Sequence, residues 1–528
     1  MTGENHSLFP NKGVQSRRFA VPYCDDPLAQ YYAMCHDQQN TMLLESAEID
    51  SKDNLKSIML LNACVRIECV ANQVTLTALN ANGRAALQLL SESLSDYISA
   101  QTDHVMQCTF PAIDPNLDEE TRLQADNVFT VLRDVVTKIP HEDEFGIFLG
   151  GCFAYDLFAV AESLPEVPTG KNTCPDFVFY LADTLALIDH KTKENHIILN
   201  QFCASKHVSE QLAQAQTQLA NAFAQIPSSL DKQITHPNLT LSPDDVLTDR
   251  DDATFCQDVL GLKEHILAGD IFQVVPSRTF SLPCPEPILA YAKLKVLNPS
   301  PYMFYMHDKD FSLFGASPES ALKYTAKTNQ IEIYPIAGTR PRGKRADGSI
   351  DFDLDGRIEL DLREDLKEKS EHIMLVDLAR NDVARVSIPG TRHVKELLKV
   401  DRYSHVMHLV SRVVGQLAPH LDALHAYQAC MNMGTLVGAP KVSAARLIRQ
   451  VENQRRGSYG GAVGYLDGQG NMDTCIVIRS AFVQHGTAHI QAGAGVVYDS
   501  VPQAEADETR AKAQAVIRAI IASQGESI

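Results

Sequence analysis

Three strand-like runs follow one another near the C-terminus with only short turns between them. The runs are AVGYLD at 462–467, TCIVIRSAFV at 474–483 and HIQAGAGVVY at 489–498, and the connections DGQGN and QHGT are rich in turn-forming residues. Connections this short join antiparallel neighbours, because parallel strands need a crossover of about a dozen residues or more. Strand-like runs elsewhere also cluster in hairpin-like order, which predicts an α+β fold with much antiparallel sheet.

A stretch rich in Pro, Ser and Asp divides the chain in two. Residues 237–252, PNLTLSPDDVLTDRDD, are predicted to be a linker. Residues 1–20 lack a regular pattern and are predicted to be an irregular arm. This divides the rest of the chain into an N-terminal domain at 21–236 and a second domain at 253–528.

Composition narrows the class of protein. The chain has 528 residues, 45% of them hydrophobic, so it can bury a full core, and its formal net charge of −19 disfavours nonspecific nucleic-acid binding. No apolar run reaches the length of a membrane span, and no signal peptide is evident, so we expect a soluble, cytoplasmic protein with no membrane or nucleic-acid partner. The twelve scattered cysteines are expected to be buried, reduced thiols.

A glycine turn followed by an acidic helix lies toward the C-terminus. Gly493 and Gly495 follow a strand-like run, and Glu505, Glu508 and Lys512 fall on one face of the helix because their spacing matches its period. Bare backbone amides bind anions, and two carboxylates on a helix can hold a hard divalent cation. Taken alone, the segment is better explained as a surface helix with solvated charges.

Polar residues in other segments favour a site that binds an anion and a divalent cation. Glu371, three residues after Glu368 on another predicted helix, could bind one Mg²⁺ together with Glu508 and leave positions for a substrate carboxylate and water. Arg479 interrupts the apolar run CIVIRSAF, where a guanidinium needs an anionic partner. His408 interrupts a valine-rich run and is the candidate base, although a lone His in a strand is more often structural. These residues predict a Mg²⁺-dependent enzyme that acts on a small dicarboxylate.

The same segments resemble the chorismate-utilising enzymes. Within that family they are most similar to the large (component I) subunits of anthranilate synthases, over nearly the whole chain. The resemblance implies a two-domain α/β fold with a central antiparallel β-sandwich flanked by helices. It also implies that chorismate and ammonia are converted to anthranilate and pyruvate, the first step of tryptophan biosynthesis. The motifs that carry it are PIAGTRPRG at 335–343, HLVSRV at 408–413, GTLVGAPK at 434–441, GGAVGY at 460–465 and GAGVVYDSVPQAEADET at 493–509.

The resemblance also implies roles for individual residues. Glu371 and Glu508 match the Mg²⁺ ligands, with Glu368 and Glu505 bound through water. His408 matches the base that removes the C2 proton, and neutral His fits that task with little tuning of its pKa. Glu319 matches the general acid for departure of the 4-hydroxyl. The matching substrate-binding or positioning groups are Gly338, Thr339, Thr435, Tyr459, Arg479, Gly493, Gly495 and Lys512.

Two positions separate the branches of the family. Aminodeoxychorismate synthases carry a lysine nucleophile at the place of Ala337, so here ammonia itself is the expected nucleophile. Isochorismate and salicylate synthases carry a water-activating lysine at the place of Gln273, which cannot act as that base. The alternatives are therefore an aminodeoxychorismate synthase, which Ala337 opposes, and a tryptophan-binding regulatory protein that has lost catalysis.

A partner and an effector are also implied. No glutaminase machinery is evident, so ammonia from glutamine should need a separate amidotransferase subunit (component II), in a heterotetramer of two large and two small subunits. L-tryptophan is the expected feedback inhibitor. Cys475 and Arg479 would share one strand face, so that roughly 13 Å of strand connects the effector pocket to the active site. The residues expected to line that pocket are Glu45, Ser46, Lys56, Pro301, Tyr302, Met303, Val463, Tyr465 and Cys475.

Overall fold

A large network of antiparallel strands forms the centre of the molecule. The structure is a computed structural model that describes residues 13–46, 56–114, 116–202, 208–226, 230, 241–345, 347–403 and 406–524. In this part of the chain, all but two of the strands belong to one hydrogen-bonded network. The strands are β1 Gln15–Val21, β2 Thr41–Glu45, β3 Lys56–Val70, β4 Gln73–Ala78, β5 Ile98–Gln101, β6 Val105–Thr109, β7 Phe148–Phe153, β8 Phe177–Asp189, β9 Glu194–Gln201, β10 Leu247–Thr248, β11 Gln273–Val274, β12 Ser277–Pro283, β13 Tyr302–His307, β14 Ser312–Ser317, β15 Ser320–Thr325, β16 Gln330–Ile333, β17 Ile336–Pro341, β18 His393–Arg402, β19 Val406–Gln416, β20 Gly438–Ala439, β21 Ala462–Asp467, β22 Met472–Ile476, β23 Ser480–Gln484 and β24 Thr487–Gly493.

Helices cover both outer faces of this network. Several begin at a side chain that caps the free amides of the first turn, such as Asp251 before α6, and α6 ends at the left-handed Gly269. The α-helices are α1 Pro27–Cys35, α2 Ala81–Leu90, α3 Glu119–Gln124, α4 Phe129–Lys138, α5 Val208–Ala224, α6 Asp252–Ala268, α7 Pro287–Leu297, α8 Phe352–Glu364, α9 Leu366–Ala384, α10 Ala423–Cys430, α11 Gly434–Val437, α12 Lys441–Glu452 and α13 Pro502–Ala522.

Two long strands, β3 and β8, fold the network into a sandwich. They pair with each other along most of their length, and each has different neighbours at its two ends: β2 and β4 flank β3, while β7 and β9 flank β8. One sheet continues from β7 through β21, β22, β15 and β16 to β19. The other continues from β2 through β13, β14, β23 and β24 to β12. Both sheets therefore contain strands from before and after the predicted linker.

Alternating side chains along β13 show the layers. Phe304 and Met306 pack in the core between the two sheets, whereas Met303 and Tyr305 pack in the core beneath α1, α7 and α13. A third core lies on the outer face of the other sheet, against α2, α4, α6, α9, α10 and α12. The predicted α+β fold, with a central antiparallel β-sandwich flanked by helices, is confirmed.

The N-terminal arm differs from its prediction. Residues 15–20 are not irregular, because they belong to β1, which pairs with β9 over its whole length. Residues 1–12 of the arm lie outside the described residues. In the predicted linker, residues 237–240 also lie outside, and β10 pairs with β12. The division into domains at 21–236 and 253–528 stays a prediction.

Two compositional predictions can be compared with the structure. Every described cysteine is a free thiol, and most of them are buried, as predicted. None of the described helices combines the length and the apolarity needed to cross a bilayer.

Candidate active site

Four glutamates on α9 and α13 face one another at one end of the site. Asp365 caps α9 by accepting hydrogen bonds from two amides of its first turn, which positions the helix that carries Glu368 and Glu371. Burial and the negative charges of Glu368 and Glu508 raise the pKa of Glu371. Burial and the charge of Glu508 likewise raise the pKa of Glu505. These mutual effects mean that the structure brings the predicted metal-binding carboxylates together.

A lysine and a glutamine contact two of these four carboxylates. Lys512 Nζ lies 2.7 Å from Glu508 Oε1 and also donates a hydrogen bond to the carbonyl oxygen of Gly493 at 3.1 Å. Gln273 Nε2 donates to Glu371 Oε1 at 3.3 Å, while the buried Oε1 atom of Gln273 has no hydrogen-bond partner among the described residues. The site therefore contains crowded carboxylates and one unsatisfied amide oxygen.

These groups fit a hard divalent cation. Mg²⁺ prefers oxygen ligands, usually keeps several waters and takes only one or two protein carboxylates. Among the described residues, no group of three or more His, Cys, Asp or Glu side chains forms a ready-made metal cage. A cation bound here would therefore use few protein ligands and leave positions for water or substrate.

Arg479 lies at a break between two strands. β22 ends at Ile476 and β23 begins at Ser480, and Arg479 itself has a φ of 48°. The prediction that Arg479 and Cys475 lie on one continuous strand face is wrong, because the left-handed residue turns the chain between β22 and β23. Burial lowers the pKa of Arg479, although the negative charge of Glu319 opposes that shift.

Gly493 lies beside the Tyr459 hydroxyl, and Gly495 lies beside Gln273 and the Glu371 carboxylate. A Cβ atom on Gly493 would lie 2.7 Å from the carbonyl oxygen of Pro276 and 3.1 Å from the Tyr459 hydroxyl. On Gly495 it would lie 2.8 Å from Gln273 Nε2. Neither position has room for a side chain, so glycine is required at both.

His408 lies on β19, opposite Thr339 of β17. Thr339 Oγ1 is 2.9 Å from His408 Nδ1, and the Tyr403 ring packs edge-on against the imidazole with centroids 5.2 Å apart. Burial and the positive charge of Arg479 lower the pKa of His408 to about 3. The ring is neutral at physiological pH, but the expectation of little tuning is wrong, because burial beside a guanidinium makes it a weak base.

Glu319 and Thr435 form a buried pair near the imidazole and the guanidinium. Thr435 Oγ1 donates a hydrogen bond to Glu319 Oε1 at 3.1 Å. Burial raises the pKa of Glu319 to about 8, and the charges of Lys512 and Arg479 only partly oppose the rise. Glu319 therefore holds a proton at neutral pH, as a general acid must.

Gly338 brings the β17 backbone close to the carboxylate end. Its φ is 80°, and a Cβ atom there would lie 3.3 Å from Glu368 Oε2 and 3.2 Å from a methyl group of Leu362. A side chain would be strained in this conformation and crowded by its neighbours. Glu368 also accepts a hydrogen bond from Arg340 Nη1 at 2.9 Å, so β17 and α9 are tied together here.

One cavity of the structure, called here the effector cavity, is lined by all nine residues predicted for the tryptophan pocket. Its volume is about 500 Å³. Charged groups occur in its wall as well, and Tyr302 donates a hydrogen bond to Asp473 at 3.2 Å. The carboxylate of Glu45 is already bound by Tyr291 at 2.6 Å and by Lys295. The nine residues are Glu45, Ser46, Lys56, Pro301, Tyr302, Met303, Val463, Tyr465 and Cys475.

Comparison with known proteins agrees with this architecture. The family model described as chorismate binding enzyme matches residues 85–518. The chain belongs to the chorismate-binding enzyme family. Anthranilate synthase component 1 of Vibrio cholerae serotype O1 is 58% identical over 511 residues, with 96% of each chain covered. The protein of that name from Escherichia coli K12 is 54% identical over 501 residues, covering 94% of this chain and 95% of the relative.

A solved structure shares the fold. The crystal structure of anthranilate synthase component I from Streptococcus pneumoniae TIGR4 superimposes with a TM-score of 0.68 and 29% sequence identity. The match covers 89% of this chain and 94% of the other.

Three residues of this chorismate-binding enzyme that line the effector cavity were not predicted from the sequence. Tyr403 lines the effector cavity, and its ring also packs against His408, so a single side chain contacts both sites. Asp401 and Lys323 are further charged residues in the wall of that cavity. The available signal was the position of Tyr403, five residues before the histidine of the HLVSRV motif.

Proposed function

We propose that this chain is the large subunit of an anthranilate synthase, which converts chorismate and ammonia to anthranilate, pyruvate and water. The observation that carries the proposal is a site that combines crowded carboxylates on α9 and α13 with a buried guanidinium, Arg479, whose charge acts on both His408 and Glu319. A buried base, His408, and a protonated acid, Glu319, accompany them. Chorismate carries two carboxylates, and such a site suits a dicarboxylate held through a metal at one end and a guanidinium at the other.

At the carboxylate end, Glu371 and Glu508 would bind Mg²⁺ directly, and Glu368 and Glu505 would bind it through water. The bound ion would neutralise and orient the ring carboxylate of the substrate. Gln273 holds the Glu371 carboxylate in place with its amide.

Arg479 would bind the second carboxylate of chorismate, that of the enolpyruvyl group. Tyr459 and the amides of Gly493 and Gly495 would add hydrogen bonds, and Lys512 would add a further carboxylate contact. Gly338 and Thr339 would position the ring. Several fixed donors that converge on one substrate orient it with little loss of entropy at the moment of reaction.

The two buried titratable groups would act in different steps of the reaction, one as an acid and the other as a base. Glu319 would donate its proton to the departing 4-hydroxyl while ammonia forms the new bond at C2, and Thr435 holds the carboxyl in position. His408 would then remove the C2 proton as the bond to pyruvate breaks. A substrate carboxylate paired with Arg479 would cancel the positive charge that depresses the pKa of His408, so substrate binding would strengthen the base.

The direct test is an assay of the purified chain with chorismate, Mg²⁺ and an ammonium salt. We expect anthranilate, recognised by its fluorescence, and an equal amount of pyruvate. Glutamine should not replace ammonium unless the amidotransferase subunit is added, because no glutaminase site was identified in the sequence. An aminodeoxychorismate product, or turnover of glutamine by the chain alone, would contradict the proposal.

Glu371→Gln is expected to raise the Mg²⁺ concentration needed for half-maximal activity by at least tenfold. The substitution removes one of two direct carboxylate ligands, each of which contributes on the order of 1.4 kcal/mol or more to the affinity. Titration of activity with Mg²⁺ measures the change. Glu364→Gln, at the C-terminal end of α8, is the matched control and should leave the titration unchanged.

We also propose that L-tryptophan inhibits the enzyme by binding in the effector cavity. An apolar wall that includes Met303 and Val463 suits an indole ring, and charged groups such as Lys56 and Asp473 suit the carboxylate and ammonium of an amino acid. Tyr403 offers a route to the active site, because it borders the cavity and contacts His408. Tryptophan would favour an arrangement that binds chorismate less well.

Ser46→Arg is expected to abolish inhibition by tryptophan while leaving kcat within about twofold. Ser46 lies in the cavity wall, where its amide bonds to the carbonyl oxygen of Lys56, so a long charged side chain would occupy the volume of the effector. Inhibition curves with and without tryptophan measure the effect. An unchanged inhibition constant would show that the cavity has another role.

We propose the subunit assembly from the names of the relatives. Two large and two amidotransferase subunits would form a heterotetramer in the cytoplasm, with the partner supplying ammonia from glutamine. The support is the word "component" in the names of the relatives, which describes one part of a larger enzyme.

A further inference from the structure

Another cavity, called here the arginine cavity, lies apart from the proposed active site and the effector cavity. Its volume is about 540 Å³, and none of its lining residues belongs to the predicted active site or to the effector cavity. Its walls are the 110–113 segment after β6, the 156–163 segment after β7, and one face of α12. A volume of this size accommodates a small organic molecule.

The charges in this cavity do not balance. Four arginines line it, and only three carboxylates, those of Asp156, Asp176 and Glu162, line it with them. Asp156 lies 2.7 Å from Arg449, and Asp176 is in an ion pair with Arg455. The pair between Arg122 and Glu162 is long, at 3.7 Å.

Arg446 carries the remaining positive charge. It donates from Nε to the carbonyl oxygen of Ser163 at 3.1 Å, and within the described part of the chain it forms no ion pair. Its side chain lies on the exposed face of α12, at the entrance of the cavity. A surplus cation of this kind stands out in a chain whose formal net charge is −19.

Two guanidinium groups in the cavity wall also have an unsatisfied donor. Arg449 is 7% exposed, and in the part of the chain that the structure describes its buried Nε atom has no hydrogen-bond partner, nor has the buried Nε of Arg122. A buried donor without a partner costs free energy, so such atoms are rare in folded proteins. An anionic ligand is the kind of partner that would satisfy guanidinium donors.

The rest of the lining is apolar. Phe110, Pro111 and Ile113 form one wall, and Val128 and Val160 form another. Inorganic phosphate would leave these walls without a partner, whereas a molecule with an apolar body would cover them. The combination of surplus arginine and apolar walls selects an amphipathic anion.

We propose that the arginine cavity binds an organic carboxylate with an apolar body. Its carboxylate lies against Arg446 and Arg449, and its body lies against Phe110 and Ile113. The cavity is a binding site separate from the chorismate and effector sites, and it does not depend on the proposed catalytic activity.

The test uses the full chain with ¹³C-labelled isoleucine methyl groups and the probe 3-phenylpropionate. Ile113 reports the arginine cavity, while Ile58 and Ile336 report the effector cavity. We expect saturable shifts of the Ile113 methyl signal at concentrations that leave Ile58 and Ile336 unchanged. The matched alcohol, 3-phenylpropanol, should bind far more weakly, because it lacks the negative charge.

Arg446→Gln should weaken binding of 3-phenylpropionate by about tenfold, because the variant loses one charge-assisted hydrogen bond to the carboxylate. Arg357→Gln removes a charge from the exposed helix α8 and should leave the affinity unchanged. The proposal is overturned if the Ile113 signal does not move, if inorganic phosphate binds as tightly as the carboxylate, or if Arg446→Gln binds like the wild type.

Discussion

Replacing Glu319 by Gln is expected to lower kcat for anthranilate formation by about 10²- to 10⁴-fold, the usual contribution of a general acid. Burial raises the pKa of Glu319 to about 8, so the carboxyl group holds a transferable proton at neutral pH that an amide lacks. Glutamine keeps an oxygen that can accept the hydrogen bond from Thr435, so KM for chorismate should change much less. Steady-state kinetics with ammonium and Mg²⁺ measure both constants.

The pH dependence gives an independent readout of the same group. The wild-type kcat/KM for chorismate should fall by about tenfold per pH unit above the pKa of Glu319 in the free enzyme, near 8, and the residual activity of Glu319→Gln should lack this decline. The raised pKa also affects stability. Between about 4.5 and 8 the unfolded state releases a proton that the folded state keeps, so the free energy of unfolding decreases with rising pH. That contribution should vanish in the variant.

Glu286→Gln is the matched control for Glu319. Burial raises the pKa of Glu286 as well, but this residue precedes α7 and is not among the residues of the proposed site. Its variant should keep the wild-type kcat and the wild-type decline above pH 8. A Glu319→Gln enzyme that turned over at the wild-type rate would remove the proposed acid from the mechanism.

His408→Gln is expected to separate the two halves of the reaction. Pyruvate release should fall by about 10²- to 10⁴-fold, because removal of the C2 proton needs a base that glutamine cannot supply. Amination of the ring does not need this base, so a ring product that retains the enolpyruvyl group should accumulate. Mass spectrometry of the products and a coupled pyruvate assay measure the two steps.

His489→Gln is the control for this substitution. The His489 imidazole is bonded to Ser281 at 2.9 Å on β24, and burial lowers its pKa too, yet it lies outside the proposed machinery. We expect normal pyruvate release from that variant. Equal loss of amination and elimination in His408→Gln would mean that the histidine positions the substrate and does not act as the base.

The local pattern of apolar and polar residues was enough to predict several helices and strands of the fold. The helical segments that carry Glu371 and Glu508 and the strand at 462–467 follow directly from hydrophobic periodicity, which depends on near neighbours. The break at Arg479 did not follow from it. The run CIVIRSAF has the composition of one strand, and its division depends on how β22 and β23 pair with different partners, β21 and β14.

Residue identity likewise predicted the parts of the site but not their properties. The motifs pointed to His408 and Glu319 but not to their pKa values. Burial disfavours the charged form of either group, so it lowers the pKa of His408 and raises the pKa of Glu319. The nine effector residues were named by resemblance, and the structure places them around one cavity. The arginine cavity, by contrast, joins segments near 110, 160 and 446 that share no motif.

By itself, then, the sequence determined the types of chemical group available, the helices and strands that carry them, and membership of the chorismate-binding family. Tertiary structure alone decided which distant groups face one another: the carboxylates of α9 against those of α13, Tyr403 between two cavities, and arginines around a third. The physical reason is that desolvation and charge–charge interaction depend on distance in space, and the carboxylates of α9 and α13, like Arg122 and Arg446, are separated by more than a hundred positions along the chain.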